Sequence, residues 1–182
     1  MASKRGESNI PAFLGEHLAL LQKDYSFSGY ERAKVWRNTN PGFVDISGIS
    51  GADSISDGRA AVFVDYDDDG DLDIFLRSMH GRAHFLFRNE IGQDQNWLRV
   101  ILTGTRSGRD AFGAVVRVKS ARGVQAKIKQ GGGRFCAQSD PRLLFGLGDA
   151  ESVEWIEVTW PDGRKQKLAG ARAGATIRIE EQ

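Results

Sequence analysis

Asp65-Tyr66-Asp67-Asp68-Asp69-Gly70-Asp71-Leu72-Asp73 is the stretch that decides how this chain is read. Six of its nine positions are aspartate. Like charges this close repel, so a folded protein that keeps them together must neutralise them. The spacing is D-x-D-x-D-G-x-x-D. In a tight loop, carboxylates at the first, third and fifth positions converge on one point. A glycine next permits the sharp turn, the following residue offers its backbone carbonyl, and a last carboxylate closes the shell directly or through water. This pattern assigns Asp65, Asp67, Asp69, the Asp71 carbonyl and Asp73 to a metal ion, with Gly70 as the turn. All are hard oxygen donors, which suit Ca²⁺ better than the more tightly hydrated Mg²⁺. Asp68 is expected to face solvent. The helix–loop–helix calcium motif does not fit: Leu76 stands where its bidentate glutamate belongs, and the flanks Ala61–Val64 and Ile74–Leu76 are β-like. An all-oxygen shell without a neighbouring His or Cys reads as structural rather than catalytic.

Outward from the loop the chain is written in short strands and turns. Arg59–Val64 leads in and Leu72–Arg77 leads out. Val35-Trp36-Arg37-Asn38 and Phe85-Leu86-Phe87-Arg88-Asn89 echo each other, their Arg-Asn pairs 51 residues apart, a period that fits one propeller blade plus the start of a second. Beyond the polar Gly92–Asn96 linker, apolar and polar residues alternate. The alternation runs through Leu98, Val100 and Leu102, through Val124, Ala126 and Ile128, and through Ile156, Val158 and Trp160. Pro161-Asp162-Gly163 predicts a hairpin and Ala175–Glu180 a closing strand with Ile177 and Ile179 inward. Gly146-Leu147-Gly148 reads as a turn. The expected organisation is a tail and one short helix over 1–24, a calcium-loop blade over 25–92 and a small β-sandwich or barrel-like domain over 93–182. The helix is placed at Pro11–Asp24, from Leu14, Leu18 and Leu21 at helical spacing.

Composition narrows the function. The 182 residues carry 25 basic and 24 acidic side chains, which gives no reason to expect nucleic acid as a partner. No apolar run approaches the ~20 residues of a membrane span. Residues 1–89 sum to −3 and residues 90–182 to +4, so the near-neutral total hides two opposed halves. Arg117, Lys119, Lys127 and Lys129, together with Arg142, form a candidate basic interaction surface. Met1-Ala-Ser-Lys-Arg5 is not followed by the apolar stretch of a cleaved export signal. The single cysteine, Cys136, reads as a small strand residue. Gly131-Gly132-Gly133-Arg134 lacks the Lys-Ser/Thr of a phosphate loop. No nucleophile elbow is present, and His17, His80 and His84 do not compose a metal or catalytic set, so no enzyme is read.

These stretches also carry a family resemblance. Asp65–Asp73, with Asp57-Gly58-Arg59-Ala60 before it and Leu86–Asn89 after it, resembles an FG-GAP/VCBS repeat, the calcium-loop blade of integrin-type propellers. Asn96–Val100, Gly104–Ala114, Gln138–Gly148 and Trp160–Gly163 resemble an ASPIC/UnbV domain. The resemblance implies a calcium-binding, non-enzymatic module that is extracellular, on the cell surface or periplasmic, and that recognises protein or glycan. A propeller closes with about four blades or more, so the edge of a lone blade is expected to pair with other copies or another chain in a homo- or hetero-oligomer. That makes a structural subunit of a larger assembly the alternative function.

Overall fold

The computed structural model describes residues 15, 16, 19, 31–78 and 84–182. Gly15, Glu16 and Ala19 are helical, and the rest of the expected N-terminal helix, with His17 and His80, lies outside the described residues. The protein is mainly β. It divides into two compact units, residues 1–59 with 78–83, and residues 60–77 with 84–182.

In the first unit, β1 (Trp36–Asn38) and β2 (Phe43–Asp45) form an antiparallel hairpin with Arg37 opposite Val44. All six strand residues are exposed, so apolar burial does not hold the hairpin. Local polar bonds take its place. Asp45 accepts the Ser47 N–H at 2.9 Å, and the Ser47 hydroxyl accepts the Val35 N–H at 2.9 Å. The hydroxyl and backbone bonds from Ser47, and then Lys34, hold Asp45 at a pKa of about 2. One helical turn, α1 (Ser47–Ser50), ends at Gly51 in the left-handed region.

The second unit is a β-sandwich with an appended three-stranded sheet. One sheet has the order β11 (Lys165–Arg172), β10 (Ser152–Thr159), β7 (Val115–Ser120), β8 (Gly123–Ile128), all antiparallel. The other has β6 (Asn96–Thr103) at its centre, parallel to β12 (Ala175–Glu180) and antiparallel to β9 (Leu143–Gly148). Leu98 and Val100 of β6, Val116 and Val118 of β7, Phe145 and Leu147 of β9 and Ile156 and Val158 of β10 meet in one core, each at most 1% exposed. Removing a side chain from such a centre (Phe145→Ala) costs about 3–5 kcal/mol. The 146–148 segment predicted as a turn is the end of β9. Cys136 is exposed, at φ 50°, inside the tight Arg134–Ala137 bridge rather than on a strand.

Strand β8 reverses the orientation expected of it. Val124 and Ile128 are 56% and 54% exposed, while the polar set turns toward the core margin. Gln125 donates to the Gly146 carbonyl at 2.7 Å, the Lys127 ammonium lies 5.6 Å from the Phe145 ring centre, and Lys129 donates to the Pro141 carbonyl. A period of two fixes alternation but not which face is inward, and at a sheet edge carbonyls and a ring make a polar inward face stable.

The third sheet has the order β3 (Gly58–Val64), β4 (Asp73–Ser78), β5 (Phe85–Phe87). The aspartate stretch links β3 to β4. The free edge of β3 is not bare at the end that enters the aspartate loop. The Phe63 carbonyl accepts the Asp140 N–H at 2.9 Å, and the Phe63 N–H donates to the Ser139 hydroxyl at 3.2 Å.

Candidate metal centre

Each part of the aspartate loop has a distinct backbone reason for its place. Asp68 sits at φ 62° and Gly70 at φ 98°, two left-handed residues that fold the loop on itself. Aspartate tolerates that region and glycine is free in it. Gly70 answers a second demand, because a Cβ there would run into the Trp97 indole. Trp97 and Arg99 alternate with the core residues Leu98 and Val100, so β6 turns one face to the core and the other to this loop.

The carboxylates differ in what holds them. Asp65, Asp67 and Asp69 place one oxygen each within 4.8 Å of one another. Asp73 is fully buried and both its oxygens accept backbone N–H groups, from Asn89 at 2.8 Å and Tyr66 at 3.2 Å. It therefore ties β4 to both neighbours of the loop. Asp69 Oδ1 accepts the Asp71 N–H at 3.1 Å. Asp71, expected to contribute its carbonyl, also turns its carboxylate inward. Burial first, then the charges of Asp69, Asp73, Asp65 and Asp67, push its pKa up to about 6.

Three arginines answer part of this charge. Arg99, 6% exposed, pairs with Asp65 and lies 3.1 Å from Asp68, with the Trp97 ring 4.9 Å away. Arg142 donates to Asp68 at 2.6 Å and to the Asp65 carbonyl at 2.7 Å, and also pairs with Asp140. Arg88 pairs with Asp67 at 2.8 Å and Glu90 at 3.2 Å. Asp68 is thus clamped as well as exposed, and the Arg142 hydrogen bond is the main reason that its pKa is lowered. Three cations against six carboxylates leave at least three negative charges.

The remaining charge is localised. Asp65 Oδ1, Asp69 Oδ2 and both oxygens of Asp71 are buried with no hydrogen-bond partner among the described residues. A buried carboxylate oxygen without a donor is costly, and native proteins rarely leave four together. The donor set is carboxylate only, which fits a hard divalent cation. Asp65, Asp67 and Asp69 could hold it, with Asp71 closing from the side.

The five candidate surface cations do not form one surface. Arg117 and Lys119 point outward from β7. Lys127 and Lys129 lie on the opposite, core-side face, where burial lowers both pKa values. Arg142 belongs to the aspartate loop. Sequence reasoning missed Arg88, Arg99 and Trp97 as partners of the loop, although the Arg88-Asn89 echo and the Asn96–Val100 stretch had marked their neighbourhoods.

A second anionic centre also went unread. Glu181 is 3% exposed and accepts the N–H groups of Thr105, Arg106 and Ser107, each at 2.9 Å. The Ser107 hydroxyl adds a bond at 2.8 Å and Arg164 one at 2.5 Å. Burial alone would raise its pKa; the Ser107 bonds, then those of Arg106 and Thr105, outweigh that and hold it at about 2.

With this geometry described, the relatives can be placed. Residues 104–182, which carry β7–β12, match the family described as ASPIC and UnbV. Over 127 residues, 67% of the chain, it is 40% identical to cartilage acidic protein 1 of Homo sapiens and, equally, to that of Mus musculus. The Xenopus tropicalis protein of the same name is 39% identical over 110 residues, 59% of the chain. The chain spans about a fifth of these curated relatives, 19% of the human and mouse proteins and 17% of the frog one. A continuous stretch covering 67% of 182 residues must contain residues 65–73, so the aspartate loop lies inside the similarity.

Proposed function

We propose that this chain is a calcium-stabilised, non-enzymatic adhesion or interaction module of the FG-GAP/VCBS plus ASPIC/UnbV type, working outside the cytoplasm and binding protein or glycan. The observation that carries the calcium reading is the set of four buried carboxylate oxygens without a donor, on Asp65, Asp69 and Asp71. Ca²⁺ would supply two positive charges to oxygens that no side chain reaches. Asp65, Asp67, Asp69 and Asp71 would bind it, Asp73 would keep the loop anchored between β4 and its neighbours, and Arg99 and Arg142 would limit the repulsion that remains. An ion in this role orders the loop rather than activating a substrate. The similarity to relatives named for cartilage supports the extracellular setting.

The alternative is a structural subunit whose blade is completed by another chain. The Ser139 and Asp140 bonds to Phe63 favour the first reading, because they occupy the loop-side end of the β3 edge.

Terbium luminescence tests the site. Tb³⁺ is a calcium surrogate, and Trp97 packs on Gly70 inside the loop. Tryptophan-sensitised emission that millimolar Ca²⁺ displaces, and that Trp97→Phe abolishes, is the expected result. Absence of sensitised emission from the wild-type protein contradicts the proposal.

A further inference from the structure

We propose that the outward face of the β11–β10–β7–β8 sheet is a docking surface for a polyanionic polysaccharide, one carrying sulfates or uronates. This rests on the reading of the chain as an interaction module and names its ligand class. Strand register builds the face. Trp155 stands opposite Lys119 on one side and Ala169 on the other. Glu157 stands between Arg117 and Lys167, and Thr159 between Val115 and Lys165. Val124 and Ile128 complete the outer two rows from β8.

The charge in these rows is unbalanced. Lys119, Arg117, Lys167 and Lys165 face a single carboxylate, Glu157, which lies 3.9 Å from Arg117 and 3.7 Å from Lys165. Lys119 has no acidic partner among the described residues. Lys167 sits 5.0 Å from the centre of the Trp155 ring. The result is a cationic, partly apolar surface that includes one half-buried indole with Lys167 over it. Neighbouring strands are ~4.8 Å apart and same-face residues ~6.6 Å apart along a strand, so the cations form a grid that a chain with regularly repeated anionic groups can cross. A nucleic acid fits less well. Single strands are gripped by several stacking aromatics, and a nucleic-acid domain is usually strongly basic, whereas this face has one tryptophan and the chain a net charge of +1.

The test measures binding of the full chain to immobilised heparin and chondroitin sulfate, in Ca²⁺ and in EDTA, with the unfolding midpoint recorded for every sample. Saturable binding that weakens with salt is expected. Removing two cations that face an anionic chain, Lys165→Ser/Lys167→Ser should weaken binding at least about tenfold. Arg178→Ser removes an exposed charge from β12 in the other sheet and should leave binding unchanged. No binding to either glycan at low salt overturns the proposal. So does a double variant that binds like wild type, an equal loss in Arg178→Ser, or better competition by single-stranded DNA of matched charge. A missing calcium effect on the midpoint would instead count against the metal centre alone.

Discussion

The Glu181 pocket and the aspartate loop both bury negative charge and treat it differently. Around Glu181 the chain supplies every donor itself: three consecutive backbone N–H groups, one hydroxyl and one guanidinium converge on a single carboxylate. Around Asp65–Asp73 six carboxylates meet three arginines, and four buried oxygens face no donor. The first is a closed structural lock that fastens the Gly104–Gly108 loop to the end of β12. The second, on the reading proposed above, is a site that a cation from outside would complete. Burial of acid is therefore not by itself a sign of metal binding; the balance of donors is what separates the two.

Substitutions can break that contrast. The largest effect is expected from Asp65→Ala. It leaves Arg99 buried with only the exposed Asp68 as a partner, and removing one partner of a buried pair costs up to about 3–5 kcal/mol. A shift of the urea midpoint, at unchanged slope, reads it. Gly70→Ala comes next, at about 1–2 kcal/mol for the left-handed backbone alone, with more from displacing Trp97. Both the urea midpoint and the Trp97-sensitised terbium signal should fall. Asp71→Asn sharpens the comparison because its sign should reverse. Without calcium the variant should be more stable than wild type, since a buried charge is removed from among like charges; with calcium the order should invert. Glu181→Gln keeps the side chain's shape and removes only its charge, so its cost should be full at neutral pH and fade as the wild-type carboxylate is protonated in acid. With a folded pKa of about 2 against an ordinary 4.5, the unfolded chain takes up the proton first. Its stabilisation is complete above pH 4.5 and is lost as pH falls toward 2. Unfolding midpoints followed over that window should slope in the wild type and flatten in Glu181→Gln.

What the sequence could disclose follows from range. The D-x-D-x-D-G spacing is local, so the convergence of Asp65, Asp67 and Asp69 was legible. Alternation of Leu98, Val100 and Leu102, and of Ile156 and Val158, disclosed the sandwich core. Arg99 lies 34 residues from Asp65 and Arg142 lies 74 from Asp68, and no pattern along the chain signals pairings that only the folded sheets create. Glu181, one residue past the expected closing strand, was not singled out for the same reason. The β8 reversal went unseen because alternation is symmetric between faces, and an edge strand is decided by what its neighbours offer. That reversal takes Lys127 and Lys129 away from Arg117 and Lys119, which the structure groups instead with Lys165 and Lys167 from the second strand of the Pro161–Gly163 hairpin.

Thermal unfolding with and without calcium tests the unfinished-site account most directly. With a dissociation constant of about 10⁻⁴ M, typical of the strong end of extracellular modules, 10 mM Ca²⁺ would stabilise the fold by about 2.7 kcal/mol, or about 5–10 °C for a protein of this size. That rise should appear in Ca²⁺ over EDTA, be absent from Asp67→Ala and Asp71→Asn, and persist in Glu181→Gln. An unchanged wild-type midpoint across the calcium series would contradict the account.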